Sequence, residues 1–177
     1  MRRESITALR HLWLDESDAR RAVSAGAIER LTRRIAHSET QHSGEIRVFI
    51  EASLPATSIW RHWRYQVPLD ALCRERALAV FGDLRVWDTE QNNGILLYLL
   101  LAERRIELIA DRGINAVVDS VHWQAMVAHM GAAFTGGAFE AGLMHALDEL
   151  EAPLTLHFAL GAGERHHNEL PDAPRIG

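Results

Sequence analysis

The longest uninterrupted apolar run in the chain, Gly94-Ile95-Leu96-Leu97-Tyr98-Leu99-Leu100-Leu101-Ala102, is nine residues long. A helix that spans a bilayer needs about 20 such residues, so the run is too short to cross one. It reads as a fully buried strand, and a strand buried on both faces requires a layered domain built around it. The segments on either side must then supply the layers.

Upstream, Ser24 is a plausible N-cap for a helix carrying Ile28, Leu31 and Ile35 on one face, with Gly44 placed to terminate it. Ile46-Arg47-Val48-Phe49-Ile50-Glu51 alternates apolar and charged residues, which predicts a strand covered mainly on one face. Pro55 and Pro68 bound a less regular region containing Trp60, Trp63 and Tyr65, and Pro68 suits the first turn of a crossover helix reaching Phe81. Downstream, Glu103-Arg104 reverses the chain and Arg105-Ile106-Glu107-Leu108-Ile109-Ala110 reads as an antiparallel return that ends in a turn at Asp111-Arg112-Gly113. Trp123, Met126, Val127, Met130 and Phe134, and then Phe139, Leu143, Leu147 and Leu150, fall at helical spacing. Pro153 is expected to kink or end the last helix. The expected fold is α/β: a small mixed β-sheet made of a βαβ unit plus an antiparallel hairpin, with helices packed on both faces as an α/β/α sandwich. An N-terminal helical segment covers 1–19, the α/β domain 20–160 and an extended tail 161–177.

Composition removes several classes of chemistry. All 19 basic residues are arginine, which excludes Schiff-base lysines and the lysine of a phosphate-binding loop. The formal net charge of −5 lacks the positive field that nucleic acid binding needs, so no nucleic acid partner is expected. The single cysteine, Cys73, permits neither an internal disulfide nor a cysteine metal cluster and reads as a packing residue. Ile6, Leu9, Leu12 and Trp13 are interrupted by Arg10, His11, Asp15 and Glu16, so no signal-peptide core is expected. These readings point to a cytoplasmic protein without a transmembrane segment.

The βαβ unit makes the first two strands parallel and the hairpin makes the third antiparallel. The starts of strands one and two and the end of strand three then share one sheet edge. That edge gathers Glu45, the loop from Asp88 to Asn93 and Asp111, with Glu39 and His42 feeding in from the first long helix. Carboxylates and amide oxygens without cysteine are ligands for hard cations such as calcium or magnesium, and a histidine makes manganese or zinc more competitive. The same side chains have a plainer use, because Asp and Asn habitually satisfy turn backbone groups.

Several stretches resemble the TPM domain family, named for thylakoid-lumen phosphatase, photosystem II repair and acetylcholine-receptor-modulator members, in its stand-alone bacterial form. They are Glu39-Thr40-Gln41-His42-Ser43-Gly44-Glu45-Ile46-Arg47; Leu84-Arg85-Val86-Trp87-Asp88-Thr89 with Asn92-Asn93-Gly94-Ile95-Leu96; and Ile109-Ala110-Asp111-Arg112-Gly113-Ile114. Trp123 and the tail Asn168-Glu169-Leu170-Pro171-Asp172 match as well. The resemblance implies an α/β sandwich, acidic strand edges that bind divalent cations in some members, and acid-phosphatase activity in a plant member. Two departures are the missing proline after Phe158 and His166-His167 where acidic residues are usual, which weakens the case for a ligand in the tail.

Two functions are therefore carried forward. One is a divalent-cation-binding module that acts through a protein partner, with Glu45, Asp88, Asn93, Asp111, Glu39 and His42 at the site. The other is a metal-assisted phosphomonoesterase in which Arg112 steers the phosphate. Glu39-x-x-His42 and Glu164-x-x-His167 share the spacing of dimetal ligand pairs, but such centres draw on four bundle helices, so coincidence is the simpler account. His122, His129 and His145 lie off their apolar stripes and read as solvated. Trp60, Trp63 and Tyr65 with Arg61 and Arg64 read as a partner-docking or core patch rather than a nucleic acid platform.

Overall fold

The fold is seen in a computed structural model that describes residues 11, 13–161, 163 and 167–177; the side chains of residues 120, 122, 124, 130, 132, 133 and 135 lie outside the described set. In chain order the elements are α1 (Glu16–Ala22), α2 (Ala25–Ser38), β1 (Glu45–Glu51), α3 (Ala56–Tyr65), α4 (Leu69–Asp83), β2 (Gly94–Leu100), β3 (Arg105–Ala110), α5 (Arg112–Asn115), α6 (Ser120–Thr135), α7 (Phe139–Phe158) and β4 (Arg175–Ile176). Of the helical segment expected over 1–19, residues 1–10 and 12 lie outside the described residues.

The apolar run supplies β2 as far as Leu100, while Leu101 and Ala102 enter the turn, and every residue of the run is buried. The sheet order is β3-β2-β1-β4, with β1 parallel to β2 and β3 antiparallel to it, as the βαβ-plus-hairpin reading requires. Ile46, Val48, Ile50, Ile95, Leu97, Leu99, Ile106 and Leu108 pack on one face with residues of α1, α2, α6 and α7. Phe49, Leu96, Tyr98, Leu100 and Ile109 pack on the other face with Leu72, Cys73, Ala77 and Val80 of α4. The molecule is thus an α/β/α sandwich. Fully burying each leucine or isoleucine of β2 contributes about 2 kcal/mol before entropy is charged. Among the described residues, no helix is long and apolar enough to cross a membrane.

Local chemistry sets most boundaries. Ser24 caps α2 by accepting from the Ala27 N–H at 3.2 Å. His11 accepts from the Leu54 N–H at its Nδ1 (3.0 Å), so its Nε2 carries the proton that reaches Glu103 at 3.1 Å, tying the N-terminal segment to the far end of the sheet. Cys73 is buried, and burial pushes its thiol up to about 12, which leaves it a packing group.

Six expectations are corrected. Helix α2 stops at Ser38 with Glu39 as C-cap, six residues before Gly44. Gly44 serves close packing instead: a Cβ there would sit 2.7 Å from Leu154 Cδ2. Strand β1 is buried along its whole length rather than mainly on one face, because its charged residues have partners. Arg47 donates to the Ala173 carbonyl at 3.1 Å, and Glu51 accepts from Arg76 at 2.7 Å and from the Tyr98 hydroxyl at 2.6 Å. Asp111 caps the short helix α5 instead of closing a simple turn. Pro153 does not end helix α7, which runs on to Phe158, since one proline removes a single backbone bond while Leu143, Leu147, Leu150 and Leu154 hold the face in the core. The tail is more than an extended end: its last residues add β4 beside β1, with Phe49 opposite Arg175 and Ile50 opposite Ile176. The Trp60, Trp63 and Tyr65 patch is also no part of the core, as α3 has no buried residue.

Gly94 opens β2 because the Val86 backbone lies against it: an added Cβ would stand 1.9 Å from the Val86 carbonyl oxygen. Replacing it with alanine should cost at least about 2 kcal/mol in urea unfolding, as overpacking against a backbone does. A loss under about 0.5 kcal/mol would show that the loop yields freely.

Candidate functional site at the Glu45 edge

Three neighbouring positions across the sheet define the site. Glu45 of β1 lies opposite Gly94 of β2, and the Asp111 N–H donates to the Gly94 carbonyl at 2.9 Å. The loops that lead into these positions lock together. Asn92 takes a left-handed conformation at φ 53°, its carbonyl accepts from the Gly113 N–H at 2.9 Å, and a Cβ on Gly113 would meet the Gln91 and Asn92 carbonyl oxygens at 2.6 Å. An asparagine tolerates this backbone and a glycine permits this approach, so both residue types are dictated by geometry.

Glu39, Glu45 and Asn93 are 2%, 0% and 1% exposed. Glu39, turning out of α2, accepts from the Ile46 N–H at 2.9 Å. The two Glu45 oxygens accept from the Glu169 N–H (2.8 Å) and the Leu170 N–H (3.0 Å), so the tail crosses directly over the start of β1. Asn93 donates its amide to the Ser43 carbonyl (2.9 Å) and hydroxyl (3.1 Å), which aligns the turn before β1 with the turn before β2. Its Oδ1 is buried and meets no hydrogen-bond donor among the described residues. Asp111 Oδ1 accepts from the Arg112 N–H at 2.7 Å, and its buried Oδ2 likewise meets no donor among the described residues.

The remaining predicted residues fall outside this group or are committed elsewhere. Asp88 is exposed and faces Arg85 at 3.8 Å. His42 is buried with Nε2 2.9 Å from Ser38 Oγ, and its backbone bridges to Ala159, so it holds the end of α7 against the turn. Arg112 is exposed and donates from Nε to Asn92 Oδ1 at 2.8 Å. His129 and His145 are largely exposed, as expected, and both reach Glu149 Oε1, at 3.0 and 3.2 Å. His166, Glu164 and the His122 side chain lie outside the described residues. Among the described residues, no three His, Cys, Asp or Glu side chains form a ready-made metal cage.

Electrostatics single out the glutamates. Burial raises the Glu39 carboxyl to about 8; the Ile46 N–H offsets part of this, and the negative charges of Glu45 and Asp172 add to it. Burial likewise raises Glu45 to about 7 against the two tail amides, with Glu169 and Asp172 adding to the rise. The tail acids Glu169 and Asp172 and the buried Arg47 were missed by sequence reasoning as parts of this edge. The one available signal was the Asn168-to-Asp172 stretch, which only folding brings to Glu45.

The TPM domain family model matches residues 17–152. The NMR structure of the BA42 protein from the psychrophilic bacterium Bizionia argentinensis is similar at 24% identity and a TM-score of 0.72, covering 88% of this chain and 95% of that one. The solution NMR structure of the N-terminal domain of a P. gingivalis protein is similar at 20% identity and a TM-score of 0.57, covering 88% and 94%. At these identities the likeness to the two solved structures is one of fold alone. No curated protein matches the chain significantly.

Because both glutamates titrate above their unfolded value of 4.5, the folded chain holds extra protons between about 4.5 and 8. Their contribution is therefore complete below that window and is lost as pH rises through it, at up to about 1.4 kcal/mol per pH unit for each group. Without divalent cations, the melting temperature should fall between pH 5 and 9, and Glu39→Gln should flatten the slope. An unchanged slope would mean that Glu39 is already ionised in the fold.

Proposed function

Since this chain belongs to the TPM domain family, we propose that it is a protein-interaction module whose Glu45 edge binds a divalent cation, calcium or magnesium. The observation that carries the reading is the pair of buried oxygens, Asn93 Oδ1 and Asp111 Oδ2, that meet no donor among the described residues, at the edge where Glu39 and Glu45 are also buried. Oxygen atoms of this kind suit hard cations, and desolvated carboxyls at about 7 and about 8 exchange a proton for a cation near neutral pH. Asn93 and Asp111 are the proposed ligands, with Glu39 and Glu45 supplying the surrounding negative charge. The cation's part is to neutralise that charge and fix the two interlocked loops. His42 and Asp88 are not needed.

With few protein ligands, affinity should resemble weak extracellular calcium modules, about 0.1–1 mM. Calcium at about 10 mM should then raise the melting temperature by about 5 °C beyond an ionic-strength control. Asp111→Asn should remove the shift and Asp88→Asn should leave it intact. Equal stabilisation by sodium chloride, or a full shift in Asp111→Asn, would refute the site.

Metal-assisted phosphomonoester hydrolysis is the second reading, favoured by the exposed Arg112 beside Asp111. Its Nε is already engaged by Asn92, which leaves less of the guanidinium for a phosphoryl group. Hydrolysis of p-nitrophenyl phosphate that is lost in Asp111→Asn would support this reading, and equal turnover by both proteins would sink it.

A further inference from the structure

We propose that helix α3, at the end of the molecule opposite the Glu45 edge, docks on an anionic lipid surface. The four most exposed aromatic side chains among the described residues are Trp13, Trp63, Tyr65 and Trp60, at 81%, 71%, 60% and 52% exposure. Three of them stand on the ten residues of α3, which follows directly on the end of β1. The fourth, Trp13, lines a hollow with Leu101, Ala102 and Arg104 at the β2–β3 reversal, so it belongs to the same end. Large rings gathered on one exposed surface mark a place of contact.

The helix is fixed with its aromatic face outward. Ala56, Trp60 and Trp63 fall at i, i+4 and i+7 and are exposed, while Ile59 packs against the cluster beneath α4. His62 Nδ1 donates to the Val67 carbonyl at 2.8 Å, and Arg61 pairs with Glu75 of α4. Rolling the helix to bury Trp60 and Trp63 would break both contacts. Two features then identify the occupant. The first is charge: α3 carries Arg61, His62 and Arg64 and no acid. The acids in the adjoining first half of α4, Asp70 and Glu75, are already paired with Arg105 and Arg61. Arg64 stands over the Tyr65 ring, 5.5 Å from its centroid, and makes no ion pair among the described residues. The chain as a whole carries −5, so an anionic surface repels the rest of it and favours approach by this helix. The second is ring chemistry. Trp and Tyr join an apolar body to a polar N–H or O–H, the combination enriched in the headgroup layer of a bilayer, and a helix with cations flanking such a face lies in that layer. None of the α3 residues is buried, so the helix forms a ridge that a fluid bilayer admits and that a folded partner could take only in a matching groove.

No residue of the Glu45 edge takes part, so lipid docking stands or falls independently of cation binding. The test is co-sedimentation of the full-length protein, in EDTA, with phosphatidylcholine vesicles that hold either no phosphatidylserine or about 30% of it. Wild type should pellet with the anionic vesicles, bind the neutral ones more weakly, and lose the difference as salt is added. W60A/W63A should weaken binding to the anionic vesicles at least about tenfold. R64A should weaken it about fivefold while leaving binding to neutral vesicles unchanged. W87A removes an exposed ring beside the start of β2, at the other end of the molecule, and should bind as wild type does. Wild type left in the supernatant with both vesicles, or equal binding by wild type and W60A/W63A, overturns the proposal. Should W60A/W63A fail to fold, quenching of wild-type tryptophan emission by bromine-labelled anionic lipid decides, and unquenched emission overturns it. A soluble dimer that W60A/W63A abolishes would assign this face to a second copy of the chain and overturn the assignment to lipid.

Discussion

Strand β2 is the constraint on which the rest of the molecule depends. None of its residues has meaningful contact with solvent, so it must be covered by helices on both faces and by a strand on each side. Those demands leave little freedom. The parallel neighbour β1 needs a crossover, which α3 and α4 supply, and the antiparallel neighbour β3 needs only a tight reversal. Once β2 is placed, the start of β1, the start of β2 and the end of β3 share one edge, and the polar residues that enter and leave these strands meet there.

That edge is expensive to build. Glu39 and Glu45 are buried, and a buried carboxylate costs several kcal/mol unless it is protonated, hydrogen-bonded or paired with a cation. The protein uses hydrogen bonds first, through the Ile46, Glu169 and Leu170 amides. These bonds do not bring the carboxyls back to their ordinary range, since both stay raised. Asn93 and Asp111 add buried oxygens that no donor among the described residues meets. An arrangement with that much unmatched acceptor capacity is suited to taking up positive charge. The tail is bound into the same balance, because Glu45 is at once a tail anchor and a source of the edge's negative field.

Much of this was legible in the sequence, for reasons that can be named. The unbroken run of β2, the hairpin at Glu103-Arg104, the Ser24 cap and the helical stripes each carry a local signal, and the shared edge follows from topology alone. What was not legible depends on partners distant in sequence. Arg47 and Glu51 look solvent-facing by alternation, yet Ala173, Arg76 and Tyr98 meet them inside the fold. A two-residue strand such as β4 has no periodicity to read, and Pro153 looks like a helix end until the packing of α7 outweighs it. Asp88 and Asp111 were indistinguishable as turn acids; only the interlocking of Asn92 with Gly113 directs one inward and leaves the other in solvent.

We propose that the buried oxygens at the Glu45 edge act as one cation-responsive unit. Its most direct test is a calcium titration of the uniformly 15N-labelled protein near neutral pH, followed by amide chemical shifts. Saturable changes should cluster at Glu39, Glu45, Asn93 and Asp111 to Gly113, with Asp88 unmoved. Changes centred on exposed acidic residues elsewhere, or none beyond those that sodium chloride produces, would contradict it.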